Sequence, residues 1–303
     1  MVKKFWIVTP SYNQAGWLRQ CIASVRDQVG SGASGIAVHH HIQDAHSSDD
    51  TASLLEDSVQ VQRPEKGYTF SYSVEQDQGM YDAINRGWQQ ATADIDIIGH
   101  LNCDEQYLPD ALTRVAREFD SSPANHVVLA ALIVVDDQGN YICHRRSLPP
   151  VKLLSRFCCA GFTAATFQSA DLVRKKNILF DTSWKNIGDK VWYNALHDAG
   201  AKFSVLHEVV SAFADTGANL NWTESSAEER RRYAREHQWR WAGGSAVVAR
   251  VNALRRWWLE RAHTPPRSYA IFTRESPDKR VEFVIEQPTG HWHKQWPCFP
   301  ASA

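Results

Sequence analysis

Acidic side chains stand where apolar, strand-like runs give out. Asp44 follows "HHHIQ", Asp77 precedes "QGMYDAIN", and Asp104 and Glu105 follow "IIGHLN". In a parallel α/β sheet, ligands bind beyond the carboxyl ends of the strands, so residues at those ends face the crevice. A hard divalent cation takes oxygen ligands, commonly one or two carboxylates plus substrate phosphate oxygens. That chemistry gives Asp104 and Glu105 a reason to stand at a strand end. Ordinary turn and N-cap chemistry places Asp there as well. For Asp104 taken alone the two readings weigh equally.

The elements that must position these residues alternate. "KFWIVTP" reads as a strand ended by Pro10, and "GWLRQCIASVRDQ" as a helix with Leu18, Cys21, Ile22 and Val25 on one face. "GIAVHHHIQD" is a second strand, followed by a helix over "SSDDTASLLEDS" with Ser47 or Ser48 as N-cap. After a connection, Met80, Ala83, Ile84, Gly87, Trp88 and Ala91 recur at helical spacing, leaving Tyr81, Asp82 and Asn85 off the apolar stripe. "DIDIIGHLN" is a strand and "YLPDALTRVAREFD" a helix. "NHVVLAALIVVDD" and "YICHRRS" read as strands joined at Gly139-Asn140. "SADLVRKKNILFD", "DKVWYNALHDAGA" and "KFSVLHEVVSAFAD" supply helix, helix and strand. This order predicts an α/β fold with a mostly parallel central sheet flanked by helices. Residues 1–221 form that unit. Residues 222–303 form a helical, basic, tryptophan-bearing C-terminal extension with a break at Gly243-Gly244.

The 303 residues suffice for one large core, or one core and a small appendage. A net charge of −1 gives no nucleic-acid footprint. The six cysteines (21, 103, 143, 158, 159, 298) lack zinc-like spacing and read as reduced thiols of a cytoplasmic protein. No apolar run reaches the roughly 18 residues that span a bilayer, and the N-terminus is no signal peptide.

Four stretches in one order resemble a family-2 glycosyltransferase of the GT-A fold, over roughly residues 4 to 220. They are "IVTPSYNQAGWLRQCIASVRDQ", "HIQDAHSSDDT", "EQDQGMYDAINRGWQQATADIDIIGHLNCDEQYLPDAL" and "FDTSWKNIGDKVWYNALHDAGAKF". Within that family they are most similar to bacterial enzymes of O-antigen and other surface-polysaccharide synthesis. The resemblance implies roles residue by residue. Thr9, Pro10, Ser11 and Tyr12 would line the nucleotide base and ribose, and Asp44 would hold the base or ribose. Asp77, Gly79 and Asp82 would edge the donor pocket, with Asn85 supporting their helix. Asp104 matches the metal-binding Asp of a D-x-D element, with Asn102 in its first position and Cys103 between. Glu105 and His207 are further candidate metal ligands. Asp189 matches the late carboxylate that serves as general base in inverting members.

The implied activity moves a sugar from a nucleotide-diphosphate sugar, most simply a UDP-sugar, to a saccharide acceptor on a lipid carrier. Mg²⁺ or Mn²⁺ is the implied cofactor, and the cytoplasmic face of the plasma membrane the implied place. The chain departs from the family pattern at Ala45-His46, where two glycines are usual, at Gln78, where Lys is frequent, and at Glu105, usually Asp. Those departures motivate the alternative of a non-catalytic sugar-nucleotide binding module. A nucleotidyltransferase would need a Gly-rich, basic phosphate loop after the first strand, and "TPSYNQAGW" is not one.

Other motifs carry less. "GSGASG" (Gly30 to Gly35) formally matches G-x-G-x-x-G but follows a helix and precedes a strand, so it reads as a loop. His39, His40 and His41 alternate faces of a strand and cannot all meet one metal. Cys158-Cys159 reads as a buried thiol pair. The C-terminal arginines (230, 231, 232, 235, 250, 255, 256), with Trp239, Trp241, Trp257 and Trp258, suit an interfacial membrane helix, a helix packed on the catalytic unit, or an oligomer contact.

Overall fold

The computed structural model describes residues 2–29, 35–120, 126–159, 161–217, 224–237 and 244–292. Its first half alternates strand and helix: β1 (Lys3–Ser11), α1 (Ala15–Arg26), β2 (Ile36–Asp44), α2 (Thr51–Gln60), β3 (Tyr68–Val74), α3 (Met80–Gln89) and β4 (Ile97–His100). These four strands are parallel in the order β3-β2-β1-β4. Then follow β5 (Glu105–Tyr107), α4 (Ala111–Asp120), β6 (His126–Val135), β7 (Tyr141–Arg145), α5 (Lys152–Ser155), β8 (Thr166–Ser169), α6 (Ala170–Arg174), α7 (Gly188–Asp198) and β9 (Lys202–Ala214). They continue the sheet as β4-β8-β6-β9-β5. Here β8 is antiparallel to both neighbours, β9 is parallel to β6, and β5 is antiparallel to β9.

Alternation along β1 divides the core between the two faces of the sheet. Phe5 and Ile7 pack with Leu18, Leu55, Leu112 and Val115 on the side of α1, α2 and α4. Trp6 and Val8 pack with Ile84, Trp88, Leu172, Trp192 and Leu196 on the side of α3, α6 and α7. Gly87 lets α3 lie close on β1, since a Cβ there would meet Val8 Cγ1 at 2.5 Å.

Several local expectations are corrected. Pro10 lies inside β1, not at its end. Leu101 N–H donates to the Val8 carbonyl, so Pro10 turns toward β4 just past the last paired residue, where a missing N–H deprives no ladder partner. Helix α2 starts at Thr51 with Asp50 as its N-cap, while Ser47 and Ser48 are engaged by Asp44 and Asn13. Tyr81 and Asn85 are buried although they lie off the apolar stripe. Strands β3, β5 and β8 were not anticipated. The helical extension accounts for α8 (Glu224–His237) and α9 (Gly244–Ala262), but β10 (Ser268–Ile271) and β11 (Val281–Val284) then form an antiparallel pair. That pair packs Tyr269, Ile271 and Ile285 onto Ile133, Val135 and Ala212 of the main sheet. Trp239, Trp241, Gly243 and Cys298 lie outside the described residues.

Candidate functional site

The carboxyl ends of β1 and β4, the segment before α3, the start of α7 and one side of α9 enclose a cavity of about 1190 Å³. Pro10, Ser11, Tyr12, Asp77, Gly79, Asn102, Cys103, Asp104, Glu105 and Asp189 all line it. Residues from distant parts of the sequence therefore converge on one space, and Tyr12 presents an exposed ring at its edge.

The acidic turn has two unlike carboxylates. Glu105 is buried and folded back: Asn102 N–H donates to its Oε2 at 2.7 Å and Asn102 Nδ2 to its Oε1 at 3.2 Å. It braces the turn that opens β5 rather than offering both oxygens to the cavity. Asp104 is half-buried, and only its own backbone N–H favours the charged form. Burial raises both carboxyls above the ordinary range, and Glu105 is raised further by the neighbouring Asp104. Asn102 Oδ1 is buried without a hydrogen-bond partner. Among the described residues, no three His, Cys, Asp or Glu side chains are grouped to hold a metal by themselves. Asp104 and the orphaned Asn102 oxygen fit a cation that draws its remaining ligands from a diphosphate.

Asp189 stands in the first turn of α7. Its backbone N–H donates to the Tyr81 hydroxyl at 3.2 Å, and its Oδ1 accepts the Lys190 N–H at 2.7 Å. Burial lifts its carboxyl to about 6 against the lowering effect of the Lys190 N–H and charge. Two supports of this carboxylate have no signature in the sequence. Tyr81 packs its ring against Gly188, where a Cβ would meet Tyr81 Cε2 at 2.5 Å. Glu229 of α8 accepts N–H groups from Lys185 at 2.6 Å, Asn186 at 2.8 Å and Ile187 at 3.1 Å, fixing the approach to α7. Lys185 and Lys190 also line the cavity.

Four expected residues are not brought to the cavity wall. Thr9 is buried in β1 with its hydroxyl 2.9 Å from His40 Nε2. Asp44 accepts the Ser47 N–H at 2.8 Å and its hydroxyl at 2.6 Å, so it shapes the loop after β2. Asp82 pairs with Arg86 at 2.9 Å and accepts the Gln78 N–H at 3.0 Å. His207 sits where the β6–β9 register slips between Ala130–Leu206 and Ala131–Val209, and its ring lies tilted at 38° against His263 with centroids 4.0 Å apart. Asn85 does support α3, exchanging hydrogen bonds of 2.8 and 2.9 Å with the Phe180 carbonyl and N–H. Cys158, buried, and Cys159, half-buried, lie on the cavity wall. His39 and His41 bond Ser71 while His40 bonds Thr9, in keeping with alternating faces.

No curated protein sequence matches the chain significantly. Among solved structures, S. aureus TarS residues 1–349 in complex with UDP superposes with a TM-score of 0.56 at 18% identity, covering 77% of this chain and 65% of that one. The same protein in complex with UDP-GlcNAc gives 0.55 at 18% identity, covering 77% and 66%. The mannosyltransferase PcManGT from Pyrobaculum calidifontis, in complex with GDP-Man and Mn²⁺, gives 0.51 at 15% identity, covering 75% and 60%. The chain thus spans less than two thirds of the length of each, and at such identities the likeness is one of fold. The model of the family described as glycosyl transferase family 2 matches residues 6–210, more than half of the chain. On that match over the parallel sheet, the acidic turn and the start of α7, the chain belongs to glycosyl transferase family 2.

Proposed function

We propose that the protein is an inverting glycosyltransferase that moves a sugar from a nucleotide-diphosphate donor, most simply a UDP-sugar, to a hydroxyl of a lipid-linked saccharide in surface-polysaccharide synthesis. The observation that carries the reading is the convergence of Asp104 and Asp189, far apart in sequence, on one cavity whose other wall ends in Pro10, Ser11 and Tyr12. The solved relatives support it through the UDP, UDP-GlcNAc and GDP-Man in their complexes.

In this reading Tyr12 stacks on the base, and Ser11 and Asp77 meet the ribose and diphosphate side. Asp104, with Asn102 beside it, would hold Mg²⁺ or Mn²⁺, which when bound supplies positive charge against the leaving diphosphate. Asp189 accepts the proton of the acceptor hydroxyl as that oxygen forms its bond to the anomeric carbon and the bond to the diphosphate breaks. A carboxyl raised to about 6 is a stronger base than an ordinary aspartate yet is ionised at neutral pH. Tyr81 and Glu229 hold its backbone in place. Displacement from the opposite face turns an α-linked donor into a β-linked product.

Calorimetry of UDP with and without Mn²⁺, for wild type and Asp104→Ala, tests the donor site. Metal-dependent binding that the substitution abolishes is the expected result. UDP binding without turnover of any donor would favour the non-catalytic module that Ala45-His46 and Gln78 suggest. A product retaining the donor's configuration would remove the base role of Asp189.

A further inference from the structure

Helix α9 is amphipathic in the reverse sense. A helix packed on a protein normally turns its apolar stripe inward. Val247, Val251, Leu254 and Trp258 recur at spacings of four, three and four residues. They therefore fall within about 60° of arc at 3.6 residues per turn. All four face solvent, at 57%, 41%, 64% and 66% exposure. The opposite face carries buried Asn252 and Leu259, and Arg256, whose Nη1 donates to the Arg146 carbonyl at 3.1 Å. Asn252, Ala253, Arg256 and Trp257 belong to the cavity wall. One side of α9 thus lines the cavity while the other shows an apolar strip to water. Arg255 Nη2 donates to the Pro149 carbonyl at 2.6 Å, holding against α9 the loop that leads to exposed Val151 and Leu153.

The charges on α9 indicate what covers the strip. The helix carries four arginines and one glutamate in a chain whose net charge is −1. Arg250 and Arg255 flank the strip, and Arg250 is exposed. Aliphatic side chains and an indole bordered by guanidiniums match the layers of an anionic bilayer surface: acyl boundary, headgroup level and lipid phosphate. We infer that α9 docks the protein on an anionic lipid surface through Val247, Val251, Leu254 and Trp258, with the cavity mouth beside the bilayer. The docking is read from α9 alone; only its use in delivering a lipid-linked acceptor rests on the proposed transfer.

Co-sedimentation of the full chain with vesicles tests it, using phosphatidylcholine alone or phosphatidylcholine with added phosphatidylglycerol. Wild type is expected to sediment with the anionic vesicles, weakly with the neutral ones, and to be released by salt. Leu254→Glu/Trp258→Glu is expected to weaken partitioning roughly tenfold or more, since it removes apolar area and adds like charge to the lipid. Thermal melting followed by circular dichroism reports whether the variant is folded, and UDP calorimetry reads the donor site separately. Vesicle binding without UDP binding would leave the docking standing and remove the donor reading. Failure of folded wild type to bind anionic vesicles, or undiminished binding by a folded variant, would overturn the docking. So would a wild-type dimer that the variant converts to monomer without any vesicle binding, which would assign the strip to a second copy of the chain.

Discussion

Burial lifts the Asp189 carboxyl to about 6, and this has one consequence for rate and one for stability. In the proposed role of base it works ionised, so kcat is expected to rise with pH through about 6 and to level above it. Asp189→Asn is expected to lower kcat by roughly 10²- to 10⁴-fold with UDP affinity little changed, checked by steady-state kinetics beside calorimetry. For stability the sign is opposite. The folded protein holds this proton more tightly than the unfolded chain does. The carboxyl's contribution is therefore complete below about pH 4 and lost as pH rises through 6. Asp189→Asn is accordingly expected to match wild type in thermal melting near pH 4 and to melt roughly 2–4 °C higher near pH 8. Asp189 was legible as a motif position. The groups that hold it were not, because Tyr81 and Glu229 reach it from 108 and some 40 residues away with no spacing rule to announce them.

Period and breakers carry most of the element scale. The stripes of α1 and α3 and the near-continuous apolar run of β6 read directly as helix, helix and buried strand. β3 alternates Tyr68 and Phe70 with polar residues, yet it follows a Pro64–Gly67 turn and leaves much of its second half exposed, so its pattern resembles a connection. Three-residue β5 is too short for any period to register, and its pairing with β9 is a tertiary event. Helix packing adds constraints that composition does not show. At Gly188 a new Cβ would strike the buried Tyr81 ring, which stacks on Phe180 with centroids 4.7 Å apart. Gly188→Ala is expected to cost about 1–3 kcal/mol in denaturant unfolding and to lower kcat by shifting the first turn of α7. Asn85→Leu strands the N–H and carbonyl of Phe180, each worth about 1–3 kcal/mol when buried and unpaired. Its unfolding midpoint is expected to drop accordingly.

The whole molecule is tied together more tightly than a division at residue 221 suggests. Gln106 behaves as a spare peptide group: its Nε2 donates to the Phe272 carbonyl and its Oε1 accepts the Phe272 N–H, both at 2.9 Å. Arg280 donates to the carbonyls of Tyr107 and Ala270 at 3.0 Å and to Asp27 at 2.6 Å. Tyr233 packs with Trp184 and Ile187. A chain ended after residue 221 is expected to lose cooperative unfolding and UDP binding, because it bares Ile133 and Ala212 and frees the strand beside Asp104. Calorimetric melting of the truncated and full chains checks this. The helical periods of α8 and α9 were readable, whereas the strand pair beyond them declares itself only through partners far back in the chain, such as Gln106, 166 residues from Phe272.

The Gln106–Phe272 pair also sets an order of events in the life of the chain. Strand β5 cannot be clipped by Phe272 until residues 268 to 284 exist outside the ribosome, so the parallel half of the sheet is expected to collapse while Gln106 still lacks its partner. A nascent chain is therefore expected to bind UDP only once residues 268 to 284 have emerged. In refolding, recovery of UDP binding should lag behind recovery of the far-ultraviolet signal.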